Sequence, residues 1–382
     1  DFCEEKELAI GIYVDLSKAF DCLDHQILLR KLNHYGIRGT PLERFNSYLS
    51  DRRQFTSYNN NDSEMLPIVR GVPQGSILGP LLFLLFVNDI VHSSTSLHFI
   101  LYADDTNLFL SHKNLEELML QANVEMQRVT EWFIANKLKV NKSKTKYMIF
   151  NLKDKHKSNQ LLNHLDLKVD NEIVERVEYT NFLGVIIDNK LNWEKHIESI
   201  SKKVSANLGI IRKLRTLLPN KSLFTLYNSI IHPYLSYCNL VWGRTFDKYL
   251  MPLYILQKSA VRLCCNAQFR ANSSPLFKTL RLLKLPDIVA HNSLLFMFKF
   301  KYDLLPGAFH NYFRLNSDIH NVNTRGKNDF YLPLLRSSFI QQNSIKYRGA
   351  VQWNSLNSDI LKCEERYHTF KKIHKTELLE TY

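Results

Sequence analysis

Two adjacent aspartates, Asp104 and Asp105, interrupt an apolar stretch in which Leu97, Phe99, Ile100, Leu101 and Tyr102 precede them and Leu108, Phe109 and Leu110 follow. Carboxylates placed among such residues are costly unless they are paired. A third, Asp15, closes the apolar run Leu8 to Val14. If the two segments are neighbours in one sheet, three carboxylates converge, and their repulsion raises their pKa values unless a cation intervenes. Carboxylate oxygens are ligands for Mg2+, commonly one or two of them together with substrate phosphates. Two such ions about 3.5–4 Å apart can clamp the attacking and leaving oxygens of an in-line phosphoryl transfer. These residues therefore point to metal-assisted phosphoryl transfer, with a triphosphate as the metal's other partner. Taken alone, an Asp-Asp pair in a hairpin also fits a turn whose side chains bond nearby backbone N–H groups.

The elements that would hold these residues follow from the pattern. Leu8–Val14 is a short, nearly continuous apolar run that suits a buried strand. A helix follows, with Asp24 as N-cap, apolar Ile27, Leu28 and Leu32, and Gly36 as its stop; Asp21 and Asp24 both read as helix-start residues. Thr40-Pro41-Leu42-Glu43 has the form of a capping box with proline at the first helical position. Gln54–Tyr58 and Met65–Val69 form a hairpin pattern around Asn59 to Asp62. The loop Arg70–Pro80, punctuated by glycine and proline, leads into an apolar helix through Ile90. Leu97–Tyr102 and Asn107–Leu110 make a second hairpin with Ala103 to Thr106 at its tip. A long helix over Asn114–Lys137 carries Leu115, Leu118, Ala122, Val129 and Trp132 along one stripe. Short strands are expected at Tyr147–Phe150, around Leu167 and Val174, and at Phe182–Ile187. Beyond Trp193 the pattern turns helical, with Pro219 and Pro233 between helices and further helices at Leu253–Cys264 and Ser293–Leu304. Residues 310–345 are polar and less regular.

Composition narrows the class. A chain of 382 residues has room for two or three domains. With 45% hydrophobic and 12% aromatic residues it can build a large core, which excludes global disorder. A net charge of +13 and a pI near 9.3 favour a polyanionic partner, nucleic acid ahead of an acidic membrane. Cys3, Cys22, Cys238, Cys264, Cys265 and Cys363 form no C-x-x-C pair and no zinc spacing, so free thiols in a reducing compartment are expected. The longest apolar run, Leu81–Val87, is too short to span a bilayer, and no signal peptide is expected. A chain that starts at Asp1 rather than Met reads as a fragment.

Five motifs occur in order: "YVDLSKAFD", "RGVPQGSILGP", "YADD", "NKSKTKYMIF" and "YTNFLGVIID". Together they resemble the palm of a reverse transcriptase, that of non-LTR (LINE-type) retrotransposons, over residues 12 to 188. The later "LGVIIDNKLNWEKHI", "LYNSIIHPYLSYCNLVWG" and "QNSIKYRGAVQWNSL" resemble the segment after the palm in such elements. The resemblance implies an α+β right-hand polymerase fold: an antiparallel palm sheet with packed helices over 1–188, a helical thumb over 189–245, and a mostly helical region of unknown role over 246–382. It implies that Asp15 is the first metal-binding aspartate, Asp104 the second and Asp105 the one beside it, with the carbonyl of Leu16 as a further ligand. Because successive strand residues face opposite ways, Asp104 is expected to ligate more directly than Asp105.

By the same resemblance Phe20 is a steric gate that excludes a 2′-hydroxyl and so selects dNTPs; by itself it reads as a core residue. Gln74 and Gly75 are implied to contact the incoming nucleotide and the template. Lys144, one of seven lysines between Lys139 and Lys157, is implied to stand by the leaving pyrophosphate. Phe182, Leu183 and Gly184 match the primer grip, with Gly184 admitting a close backbone approach. Lys195, Lys202, Lys203, Arg212 and Lys213 lie where the thumb tracks nucleic-acid phosphates; the bland alternative is a solvated helix face. Trp242 and Trp353 read as core.

The implied activity is RNA-directed DNA polymerisation with two Mg2+ ions, or Mn2+ in their place. The implied partners are an RNA template, a DNA primer at the target and dNTPs, with no membrane and no oligomeric state specified. Localisation follows only from the implied activity, with assembly on RNA in the cytoplasm and action at nuclear DNA. The sequence departs from the family in that only fourteen residues precede Asp15, so the fingers are expected to be largely missing and activity of this chain alone weak or absent. A different nucleotide choice, such as an RNA-dependent RNA polymerase, is opposed by Phe20. The non-enzymatic alternative is a truncated or co-opted remnant that only binds nucleic acid.

Overall fold

The computed structural model describes residues 8–150, 166–319, 326–333, 342–356 and 366–382. The chain forms two compact units, Asp1–Glu178 and Tyr179–Tyr382.

The first unit is built on β1 (Leu8–Val14), whose residues from Ala9 onward are all buried. The elements around it are α1 (His25–His34), α2 (Thr40–Leu49), the two-residue strands β2 to β5 (Arg53–Gln54, Ser57–Tyr58, Asn61–Asp62, Leu66–Pro67), α3 (Leu78–Val87), β6 (His98–Tyr102), β7 (Asp105–His112), α4 (Leu115–Ala135), β8 (Lys146–Phe150), β9 (Lys168–Val169), β10 (Glu172–Ile173) and β11 (Glu175–Arg176). β1 is central in a five-stranded sheet of order β11-β8-β1-β7-β6. It pairs antiparallel with both β7 and β8. The continuous apolar run is explained by this position: one face carries Ile10, Ile12 and Val14 into a core with Leu28, Phe83, Phe86, Met126 and Val129. On the alternate positions Gly11 leaves room for the rings of Phe109 and Phe150.

Asp24 caps α1 by accepting from the N–H of Ile27, and Asn114 caps α4 through the N–H of Glu116, both as capping chemistry requires. The expected capping box at Thr40 does not form. Gly39, at φ 58 and ψ −139, stands at the N-cap, so Thr40 is already helical and its side chain caps nothing. The Gln54–Val69 hairpin is shorter than its pattern. It holds only two-residue pairings, with Asn59 and Asn60 both left-handed at the turn and every paired residue exposed. Without a face to bury, strands of this length gain little from extension.

The second unit opens with the hairpin β12 (Tyr179–Phe182) and β13 (Val185–Asp188), turning at Leu183 and Gly184. Its helices are α5 (Glu194–Leu214), α6 (Asn220–Ile230), α7 (His232–Ser236), α8 (Asn239–Trp242), α9 (Asp247–Cys264), α10 (Ser274–Thr279), α11 (Leu285–Lys301), α12 (Ile345–Asn354) and α13 (Tyr367–Glu380). Two boundaries differ from the sequence reading. The hairpin expected within the palm stands with the helical unit, because Val185 belongs to its core. The expected break at 245 joins one core instead: α5 contributes Val204 and Leu208, and α9 contributes Leu253 and Val261. Trp242 and Trp353 are buried, as their reading as core requires. Among the described residues no helix is long and apolar enough to cross a membrane.

Candidate active site

The register between β1 and β7 assembles the acidic residues. Val14 pairs with Thr106, so one further step along the two antiparallel strands sets Asp15 opposite Asp105. Asp104 lies beside them in the two-residue turn that joins β6 to β7, where Tyr102 pairs with Asp105. Ala103 opens this turn at φ 50, a left-handed conformation that costs a non-glycine residue about 1–2 kcal/mol. The expected tip of four residues is thus only two, and Asp105 opens the strand.

Asp15 is anchored through its backbone. Its N–H donates to Thr145 Oγ1 at 3.3 Å, and its carbonyl accepts from the N–H of Asn141 at 2.7 Å. Leu16 bridges Val140, with Ser17 donating to the Lys139 carbonyl at 2.9 Å; among the described residues this pairing does not engage the Leu16 carbonyl. The three carboxylates share one field. Asp105 is held above the ordinary carboxylate range, first by partial burial and then by the charges of Asp104 and Asp15. That is the cost expected of converging acids without a counter-charge. Among the described residues no three His, Cys, Asp or Glu side chains close around a common point tightly enough to hold a metal ion. The donor set itself, three carboxylates on adjoining strand ends, is the hard-oxygen chemistry that Mg2+ takes.

A second group lies in the loop before α3, which docks on the turn after β1. The N–H of Val72 donates to the Phe20 carbonyl at 2.9 Å and that of Gly71 to the Leu23 carbonyl at 2.7 Å. A Cβ on Gly71 would lie 2.8 Å from the Asp21 backbone, and its φ is +82, so only glycine permits this approach. Phe20 is half-buried and its ring lies against Phe83 at 4.6 Å between centroids. Gln74 donates from Nε2 to Asp21 Oδ1 at 2.8 Å. Asp21 is therefore not a helix-start residue: it ends a single turn of 3-10 helix, Ala19–Asp21, and fixes the Gln74 carboxamide. The sequence reading missed this role, since nothing in the spacing signals a hydrogen bond across fifty-three positions. Gly75, also left-handed, has open space where a Cβ would stand.

Lys144 is exposed in the turn before β8, next to the Thr145 that bonds Asp15. Its neighbours are engaged: Lys142 pairs with Asp170 and Glu172, and Lys146 with Glu175. Lys144 carries no ion pair among the described residues. Lys153, Lys155 and Lys157, which belong to the same run, lie outside the described residues.

In the helical unit, Phe182, Leu183 and Gly184 form the tip of the β12–β13 hairpin. The Leu183 carbonyl accepts from Tyr237 Oη at 2.6 Å. The nearest atoms to a Cβ on Gly184 are those of the Tyr237 ring, at 3.5 Å. Glycine serves its positive φ here rather than the close backbone approach that was expected. On α5, Lys195, Lys202, Lys203, Arg212 and Lys213 are all exposed, opposite a buried stripe of His196, Ile197, Ile200, Val204, Leu208 and Ile211. Lys195 and Lys202 both pair with Glu198.

With this geometry in hand, comparison with known proteins identifies the class. Residues 2–187 match the family described as "Reverse transcriptase (RNA-dependent DNA polymerase)". Three relatives come from Drosophila melanogaster. The probable RNA-directed DNA polymerase from transposon X-element is 24% identical over 305 residues, covering 76% of this chain and 32% of the relative. The RNA-directed DNA polymerase from mobile element jockey is 25% identical over 297 residues, covering 74% and 31%. The probable RNA-directed DNA polymerase from transposon BS is 25% identical over 309 residues, covering 76% and 32%. The chain spans about a third of the length of these curated relatives. A structure of telomerase from Candida albicans in complex with the TWJ fragment of telomeric RNA aligns at TM-score 0.33 and 12% identity, covering 72% of this chain and 46% of that one; a likeness this low carries no argument.

The carboxylate-bearing sheet thus lies within the stretch that matches the reverse transcriptase family, a family that uses divalent metal ions. Its relatives are the polymerases of non-LTR retrotransposons, and residues 2–187 are a domain of that type.

Proposed function

We propose that this chain carries the polymerising part of a non-LTR retrotransposon and adds deoxynucleotides to a primer 3′-hydroxyl on an RNA template. One observation carries the reading: the antiparallel register of β1 and β7 runs out at Asp15 and Asp105, with Asp104 in the adjoining turn. Two Mg2+ ions, or Mn2+ in their stead, supply Lewis acidity and offset phosphate charge when bound to such carboxylates. Asp15 and Asp104 would hold them, with Asp105 beside and the Leu16 carbonyl as a further oxygen. Phe20 underlies the sugar and collides with a 2′-hydroxyl, and Phe83 behind it keeps the ring from yielding. Gln74, fixed by Asp21, and Gly75 meet the nucleotide and template. The primer oxygen forms a bond to the α-phosphorus, the bond from that phosphorus to the bridging oxygen breaks, and pyrophosphate leaves. Lys144 neutralises or protonates the leaving group.

Phe182, Leu183 and Gly184 hold the primer end. Lys195, Lys202, Lys203, Arg212 and Lys213 follow the phosphates. The substrates are an RNA template, a DNA primer at the target site and dNTPs, which places assembly with RNA in the cytoplasm and action in the nucleus. On this reading the first unit acts as palm, and the helical unit carries the primer grip on its opening hairpin and the thumb on α5.

Primer extension on an RNA template in Mg2+ tests the proposal. Joined to a reverse transcriptase fingers segment, the chain is expected to make a dNTP-dependent product that Asp104→Asn abolishes. Phe20→Ala is expected to raise ribonucleotide incorporation relative to deoxynucleotide by at least about tenfold. Product that survives Asp104→Asn overturns the assignment. Salt-sensitive binding without product, indifferent to Mg2+ and to Asp15→Asn, would reduce the chain to a nucleic-acid binder.

A further inference from the structure

The helical unit holds two adjoining cavities that the polymerase reading does not use. Arg244, Thr245 and Asn343 line both. The first, about 270 Å3, also presents Arg348, Tyr254 and Asp247. The second, about 410 Å3, is walled by Trp193, Phe296, Phe309 and Tyr312.

The first cavity has an excess of positive charge. Arg244 is half-buried and hydrogen-bonds the side-chain oxygen of Gln352. Burial, and then the charge of Arg348, pulls its pKa down to about 10. Neither arginine forms an ion pair with Asp247 or with any other acid among the described residues. A guanidinium taken out of water beside a second one is unfavourable unless an anion joins them. Two such forks suit the oxygens of a phosphate, which they can grip in bidentate fashion.

The second cavity is built at some cost. Trp193 sits in the left-handed region at φ 64 and ψ 9, a conformation that a bulky residue keeps only when its surroundings impose it. Here they do. Buried Asp188 accepts from the N–H groups of Lys190, Asn192 and Trp193, and Thr245 Oγ1 donates to the Asn192 carbonyl at 2.6 Å. The segment "DNKLNW" is thereby locked so that the indole stands in the cavity wall, and Thr245 ties that wall to the arginine beside it. Phe309 packs edge-on against Phe296 at 5.4 Å and Tyr312 at 5.8 Å, which gives the wall the flat, half-buried rings on which an unpaired base stacks.

We propose that the two cavities together bind one nucleotide unit of a single-stranded nucleic acid, its phosphate between Arg244 and Arg348 and its base against Trp193, Phe296, Phe309 and Tyr312. The site shares no residue with the proposed polymerase machinery and stands whether or not that reading does.

Photocrosslinking of the full chain with an oligonucleotide carrying thio-substituted uridine, followed by peptide mapping, tests it. Adducts are expected on the peptides that contain Trp193, Phe309 or Tyr312. Arg348 is exposed on α12, so Arg348→Gln is expected to keep the fold and lower these adducts about tenfold. Phe309→Leu should lower them as well, and remains informative if Arg348→Gln fails to fold. Lys221→Gln removes an equal charge from the exposed start of α6 and should change them less than about twofold. Adducts confined to other peptides, or an equal loss in the Lys221 and Arg348 variants, would overturn the proposal. So would adducts with the thio-substituted uridine monophosphate alone, which would mark a site for free nucleotide.

Discussion

Asp105 bears the electrostatic strain of the site. Its carboxyl is held above the ordinary range by burial and by Asp104 and Asp15, so between its unfolded and folded pKa the native state binds more protons than the unfolded one. Stability contributed below the unfolded pKa is therefore lost as pH rises through the folded pKa. Asp105→Asn should raise the thermal midpoint of the metal-free chain near neutral pH, with a smaller gain at acid pH, as scanning calorimetry would record; an equal gain at both would show that repulsion is not the cause. The acids themselves were legible, because carboxylates within apolar runs demand a partner. Asp21 was not: as the acceptor for Gln74 it depends on a loop folding back, and local pattern is silent on that. The choice of Lys144 among seven lysines rests on motif resemblance; Lys142 and Lys146 are held in ion pairs, whereas Lys139 is exposed, as Lys144 is.

At the scale of elements, strands and helices with a face to bury were read well. β1, α1 and α4 lie where periodicity and caps put them. The failures have two causes. At Gly39 the backbone takes a conformation reserved for glycine and shifts the helix start by one residue. In the exposed Arg53–Pro67 region the pattern promised strands that no packing rewards. The Gly71 contact is as specific: Gly71→Ala forces a Cβ within 2.8 Å of the Asp21 backbone at positive φ. It should cost about 1–3 kcal/mol in urea denaturation and weaken dNTP binding by displacing Gln74; unchanged stability and KM would mean that the loop is not docked on Asp21.

A second element-level device joins α11 to α13. His291 and His374 are buried and stacked, with Nδ1 to Nδ1 at 2.8 Å. Burial holds both imidazoles well below their ordinary pKa, to about 3 and about 4, and for His291 the charges of His374, Lys371 and Lys375 add to it. Unfolded histidines take up protons below about pH 6.5, while this pair stays neutral. Its contribution is intact above that pH and is lost as pH falls toward the folded values. The denaturation midpoint should drop between pH 7 and 5, and His291→Leu should flatten the slope; a slope unchanged in that variant would assign the acid sensitivity elsewhere.

For the whole molecule, the charge of +13 is a statement about partners, and the sequence alone was sufficient for it. What it could not give was the grouping of segments. The β12–β13 hairpin joins the helical unit because Val185 is in its core, and α9 continues the core of α5 across the expected break at 245. Such contacts are set by tertiary packing between distant stretches. Three cations of α5, Lys203, Arg212 and Lys213, have no ion pair among the described residues. If these three alone meet phosphates, affinity for duplex should fall about sixfold for each doubling of salt. Filter binding across a salt series checks this, and a flat response would exclude the helix as a phosphate track.

The most direct measurement is a Mn2+ titration of the full chain followed by paramagnetic resonance, with and without a dNTP. If Asp15, Asp104 and Asp105 form one metal site, bound Mn2+ appears in the unaltered chain, and Asp15→Asn or Asp104→Asn weakens it by at least about tenfold. Undiminished Mn2+ binding in both variants would contradict the account.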